Sequence, residues 1–197
     1  RTFATQSGTS TVDGEASRAG ISVIGGVTAT IEHFSVVNGT QGISNGGDLT
    51  LNSVTVSDNT ACVQWCKAGV FNTGTLILNN SAVSGNTAAH FGGGILGGTV
   101  TLNNSTVSGN NAGRWGGGIR KYDGTVILNN STVSSNTSGS TGGGIDGSAT
   151  LQNSILAGNT AGISGPDCSG SVGSSGYNLI GDTSGCDFGA GTGDLTD

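Results

Sequence analysis

Methionine is absent from the 197-residue chain, proline occurs once, at Pro166, and aromatic residues make up only 5%. A single proline excludes collagen and proline-rich linkers. So few rings mean that any core must be aliphatic and thin. Charged residues are also scarce, at 9%, and they leave a net charge of −6. That sign disfavours nucleic acid and anionic membrane surfaces as partners. No apolar run approaches the ~18 residues of a membrane helix, so no membrane span is expected. The segment from Arg1 lacks the basic and apolar regions of a signal peptide, which reads as a processed mature segment.

Glycine is abundant, with 39 residues, beside 33% hydrophobic residues rich in Val, Ile and Leu. Glycine and low charge alone would suggest disorder, whereas the aliphatic content argues for an ordered core. The length suits one domain or one continuous repeat stack.

Periodicity decides between these. The segments GDLTLNSVTVSDNTA, GTLILNNSAVSGNTA, GTVTLNNSTVSGNNA, GTVILNNSTVSSNTS and GSATLQNSILAGNTA align without gaps. Leu51, Leu78, Leu102, Leu128 and Leu151 form one column, and Val56, Val83, Val107, Val133 and Leu156 a second. Asn59, Asn86, Asn110, Asn136 and Asn159 form a third. A fourth, Ile43, Val70, Ile95, Ile119 and Ile145, follows glycine-rich corners that are clearest as GGGI. Ile31 and Val36 extend the first two columns into a looser early coil. Short alternating runs such as TVTL and STVS mark strands with one buried face, and no segment keeps helical spacing. Short strands and turns in a repeat of ~24 residues describe one rung of a right-handed parallel β-helix, an all-β solenoid of about six to seven coils. Like side chains then stack in ladders, and each Asn amide can donate to the amide of the next rung. Residues 1–20 read as a polar entry segment or divergent first coil, 21–163 as the regular stack, and 164–197 as irregular closing turns.

The GGGI…TLNNSTVSGN repeats resemble those of bacterial surface β-helix proteins with pectin-lyase-like folds, including polymorphic outer-membrane-protein repeats. The ending NSILAGNTA…PDCSGSVGSSGYNLIGDTSGC is similar to the close of choice-of-anchor Q domain proteins. The resemblance spans roughly residues 20–190. It implies an exported, extracellular or cell-surface protein, mostly without assigned enzymatic activity.

The cysteines fall as two local pairs, Cys62/Cys66 and Cys168/Cys186, without zinc-type spacing. Two disulfides in an oxidising compartment are expected, with four thiols as the alternative. The longer loop would contribute about 3 kcal/mol in the chain-entropy model.

Chemistry has two candidate places. Asp123 and Asp146 each precede a glycine and stand five positions before a column leucine, so they are expected to face each other across neighbouring rungs. Solvated loop aspartates are the favoured reading, with a calcium ion as the alternative and no other cofactor expected. The corner before GGGI carries Trp65, His90, Phe91, Arg114 and Trp115. These rings either pack on one another, the favoured reading, or form a stripe that stacks on sugar faces. No nucleophile motif, phosphate loop or dinucleotide fingerprint is present. The sequence therefore reads as a non-enzymatic structural or adhesive solenoid, with a carbohydrate-binding module or a polysaccharide lyase or hydrolase as the alternative. Open ends without a helical cap would also allow head-to-tail association into filaments.

Overall fold

The computed structural model describes residues 9–61 and 69–197. Among these the chain forms a parallel β-solenoid of about seven turns, with strands and no helix. A nine-stranded sheet runs from Ser10–Asp13 through Phe34–Val37, Thr55–Ser57 and their successors to Leu195–Thr196. A twelve-stranded sheet holds the longer TLN-type strands, and a five-stranded sheet runs from Thr60–Ala61 to Thr160–Ala161. All pairings are parallel. The stack thus begins ahead of residue 21, and Cys168–Ser174, Leu179–Ile180 and Leu195–Thr196 carry it past 163.

Alternation explains the core. Val56, Val83, Val107, Val133 and Leu156 pair in register and are fully buried, as are the five column leucines. Ile31 and Val36 pair with Leu51 and Val56. A further column, Leu49, Leu76, Val100, Val126 and Ala149, lies two residues before the leucines and is also buried. Each fully buried Leu or Val contributes ~1.5–3 kcal/mol of transfer free energy, repeated rung by rung. The corner glycines permit the close stacking. A Cβ on Gly94, Gly118 or Gly144 would lie 2.6, 2.6 or 2.4 Å from a carbonyl oxygen of the next rung.

Two sets of inward-pointing polar residues form one-way ladders. Asn59, Asn86, Asn110 and Asn136 each donate the backbone N–H and the amide Nδ2 to the Oδ1 of the next asparagine, at 2.9–3.1 Å. The last acceptor is a carboxylate. Asp167 Oδ1 takes both bonds from Asn159 at 2.8 Å, while its Oδ2 takes the backbone N–H of Asp182 at 2.7 Å. A buried serine ladder runs beside it. Ser81, Ser105 and Ser131 donate their backbone N–H groups to the next serine Oγ, and Ser154 donates to Asn178 Oδ1. Asn178 in turn donates its backbone N–H and Nδ2 to Asp194 Oδ1. A ladder whose every member passes donors forward closes on a group with acceptor oxygens to spare, and an aspartate side chain is such a group. Cys168 occupies the place after Ile145 in the corner column and is bonded to Cys186, across a Cα–Cα distance of 5.4 Å. Cys62 and Cys66 lie outside the described residues.

Candidate functional site

The most varied surface chemistry sits where the GGG corner folds back on the outer face of the twelve-stranded sheet. Gly92, Gly116 and Gly142 adopt φ of +59°, +66° and +63°. A Cβ on each would fall 2.5, 2.6 and 2.4 Å from the Cβ of Leu96, Arg120 and Asp146. Only glycine lets the corner press this tightly, and the result is two adjacent outer columns. One is Phe91, Trp115, Thr141 and Ser164, joined by parallel bridges. The other is Phe71, Leu96, Arg120, Asp146 and Ser169, in strand register.

Phe91 and Trp115 stack at 5.0 Å between centroids with 7° between planes, and His90 tilts against Phe91 at 5.6 Å. The Arg120 guanidinium carbon lies 5.1 Å from the Trp115 centroid and 5.6 Å from that of Tyr122. Arg120 forms an ion pair with Asp146, whose other oxygen accepts the Thr141 hydroxyl at 3.2 Å. The Asp146 side chain is only 7% exposed and that of Arg120 24%. Burial pulls the Arg120 guanidinium below its ordinary pKa, an effect partly offset by the Tyr122 phenol. It starts high enough to stay charged.

The rings of Phe91 and Trp115 therefore stack on one another, with Arg120 against Trp115, which is the packing arrangement of the two expected from sequence. Arg114 is exposed beside Trp115, and Trp65 lies outside the described residues. The aspartates differ from expectation. Asp146 stands opposite Arg120, not opposite Asp123, which is exposed in the loop that follows Arg120. The reason is corner length. Ile119 and Leu128 are nine positions apart, whereas Ile145 and Leu151 are six, and the surplus loops out over residues 122–125. Register is carried by the isoleucine before the loop, so counting back from the leucine misplaces Asp123. Asp146 thus has a fixed guanidinium counter-ion. Among the described residues no three His, Cys, Asp or Glu side chains converge in a way that could hold a metal.

Sequence reasoning missed Arg120 and Tyr122 at this corner, and Asp167 and Asp194 at the ladder ends. Arg120 was readable, one place after Ile119 in the GGGI frame. Beside the looped segment a shallow groove of about 90 Å³ is lined by Gly124, Thr125 and Val126 on one coil and by Ser148, Ala149 and Thr150 on the next.

Fold and corner together define a parallel β-solenoid repeat protein with internally hydrogen-bonded polar ladders. No family model matches the chain, and no curated protein or solved structure matches it significantly. No helix among the described residues is long and apolar enough to cross a membrane.

Proposed function

We propose that this chain is a non-enzymatic structural solenoid of an exported or cell-surface protein, a stiff element for spacing or adhesion. The observation that carries this is the asparagine ladder. It starts at the Gly39 N–H, runs through five asparagines and closes on Asp167, tying successive coils together along the axis. Such a network resists axial shear and bending because each break exposes buried donors. The Cys168–Cys186 bond favours an oxidising compartment. The likeness to choice-of-anchor Q closing segments is supported by the parts of that motif that have work in this fold. PDC supplies Asp167 and Cys168, and GYNLIGD supplies the ladder residue Asn178 and the Asp182 N–H.

Head-to-tail filaments are the second form of this reading, but charge opposes them. Among the described residues the first coil carries Asp13, Glu15 and Glu32 against Arg18, and the last coils carry Asp182, Asp187, Asp194 and Asp197 with no basic residue. Stacking one end on the other brings like charges together until salt screens them. The test combines sedimentation velocity and electron microscopy at physiological and high salt with a polysaccharide turnover assay. Short monomeric rods at physiological salt and no new reducing ends or unsaturated products are expected. Catalytic release of such products from any polysaccharide would overturn the non-enzymatic reading.

A further inference from the structure

The outer column at the corner holds Leu96 one rung before Arg120, and Leu96 is buried at 1% exposure. An apolar side chain is thus fully accommodated at this place in the coil. Replacing a buried ion pair with apolar side chains is often neutral or stabilising, so packing alone does not call for Arg120 and Asp146. Their arrangement fixes a guanidinium at one height and angle, between two rings. Three of the four basic residues among the described ones, Arg114, Arg120 and Lys121, belong to this one coil of a protein with net charge −6. The fourth, Arg18, pairs with Glu15. Arg114 and Lys121 make no ion pair among the described residues, so two cations remain after Arg120 is matched by Asp146, against the single exposed charge of Asp123. Lys121 has room because the residues at its own place in the neighbouring coils are Gly97 and Gly147, and a Cβ on Gly147 would meet the Lys121 Cβ at 2.8 Å. Tyr122, next along the loop, is 56% exposed, and the groove at Gly124–Val126 opens directly after it.

From this juxtaposition we propose that the coil from Arg114 to Val126 is a binding site for an acidic saccharide, one bearing carboxylate or sulfate groups. Arg114 and Lys121 pair with the acidic groups, and the exposed Tyr122 ring packs on an apolar sugar face. Arg120 is a positioning residue that holds Tyr122 and Trp115 together while its counter-ion Asp146 anchors it. The acidic remainder of the molecule repels a long polyanion, so the site takes a short stretch or a chain end. The proposal deepens the adhesive reading by naming what the solenoid holds. The rod shape and lack of turnover are measured separately and stand or fall without it.

The test is affinity electrophoresis of the whole chain in gels containing alginate, dextran sulfate or neutral dextran. Retardation is expected in one or both polyanion gels and not in neutral dextran. Alginate alone assigns carboxylate recognition, and dextran sulfate alone assigns sulfate. An Arg114→Gln/Lys121→Gln double variant and Tyr122→Ala leave the buried columns untouched, and each is confirmed to unfold cooperatively before binding is measured. Each should bind at least tenfold more weakly. No retardation by either polyanion, equal retardation by neutral dextran, or undiminished binding in the folded variants would each overturn the proposal.

Discussion

Two asparagine ladders run along this solenoid with nearly the same bond lengths. The inner one passes through Asn59, Asn86, Asn110, Asn136 and Asn159 and is buried throughout. The outer one links Asn129, Asn103, Asn79 and Asn52 at 2.9 Å and lies half-exposed. Their polarity is opposite. The inner ladder hands its donors toward the C-terminal coils and ends on Asp167, whereas the outer one hands them back and ends on Glu32 at 2.6 Å. Both obey the rule that a one-way ladder closes on an acceptor. What separates them is water. A broken outer rung is repaired by solvent, while a broken inner rung leaves buried groups unpaired, so burial and not bond geometry sets what each ladder is worth.

The largest expected effect follows from this. Asn110→Ala removes the Oδ1 that accepts the Asn86 backbone N–H and Nδ2, and it removes the side-chain donor to Val83 O. We expect a loss on the order of 3–5 kcal/mol by urea unfolding, from several buried unpaired groups and the space left behind. Asn103→Ala, at the matching bond length on the outer ladder, should cost less than about 1 kcal/mol. Equal losses at the two sites would break the comparison.

The next effect tests the ladder ends. Asp194 closes the serine ladder by accepting from Asn178, and its Oδ2 accepts the Gly191 N–H at 2.6 Å. Burial alone would raise its pKa, but hydrogen bonds from Ser174, Gly191 and Asn178 outweigh that and hold it below the ordinary aspartate value. A depressed folded pKa means that the stabilisation is complete above the unfolded value of about 3.9 and is lost as pH falls through the folded pKa. Hydrogen exchange should therefore show the Asn178 and Leu195 amides losing protection in acid before the central rungs do. Asp194→Asn should loosen the same coil at neutral pH by ~1–2 kcal/mol and abolish that acid step. Simultaneous loss of protection in closing coil and stack would show that the carboxylate is no local cap.

These ends also mark where sequence reasoning stopped. The Leu, Val, Ile and inner Asn columns were legible because their frame has no gaps and strand alternation assigns each position a side. Cys168–Cys186 was legible from local spacing. Asp167 was not, because it enters the ladder from eight residues beyond Asn159 and outside the repeat frame. The Ser81, Ser105, Ser131 and Ser154 column stood in plain view, but serine in a strand-rich repeat looks like ordinary surface. At the corner, the GGGI frame placed Phe91 and Trp115 side by side, while the loop at residues 122–125 shifted Asp123 out of the column that Asp146 shares with Arg120. Loops of variable length hide whichever partner lies beyond them.

The smallest effect concerns a hydroxyl that is buried and belongs to no ladder. The inward column of the five-stranded sheet reads Ala61, Ala88, Ala112, Ser138 and Ala161. Ser138 is 2% exposed, and its Oγ has no hydrogen-bond partner among the described residues. Its four column neighbours are all alanines, so the site already fits a methyl group. The backbone bond from Gly162 N–H to Ser138 O does not depend on the side chain. Ser138→Ala therefore removes a desolvated polar atom and no observed contact. A gain of about 0.5–1 kcal/mol is expected, from the low end of the cost of an unpaired buried group. For a domain of this size that corresponds to a rise of ~1–4 °C in melting temperature. A lower melting temperature would mean that the hydroxyl is paired in solution. The inside of the solenoid would then tolerate lone hydroxyl groups as readily as it does ladders, and burial would no longer separate the inner ladder from the outer one.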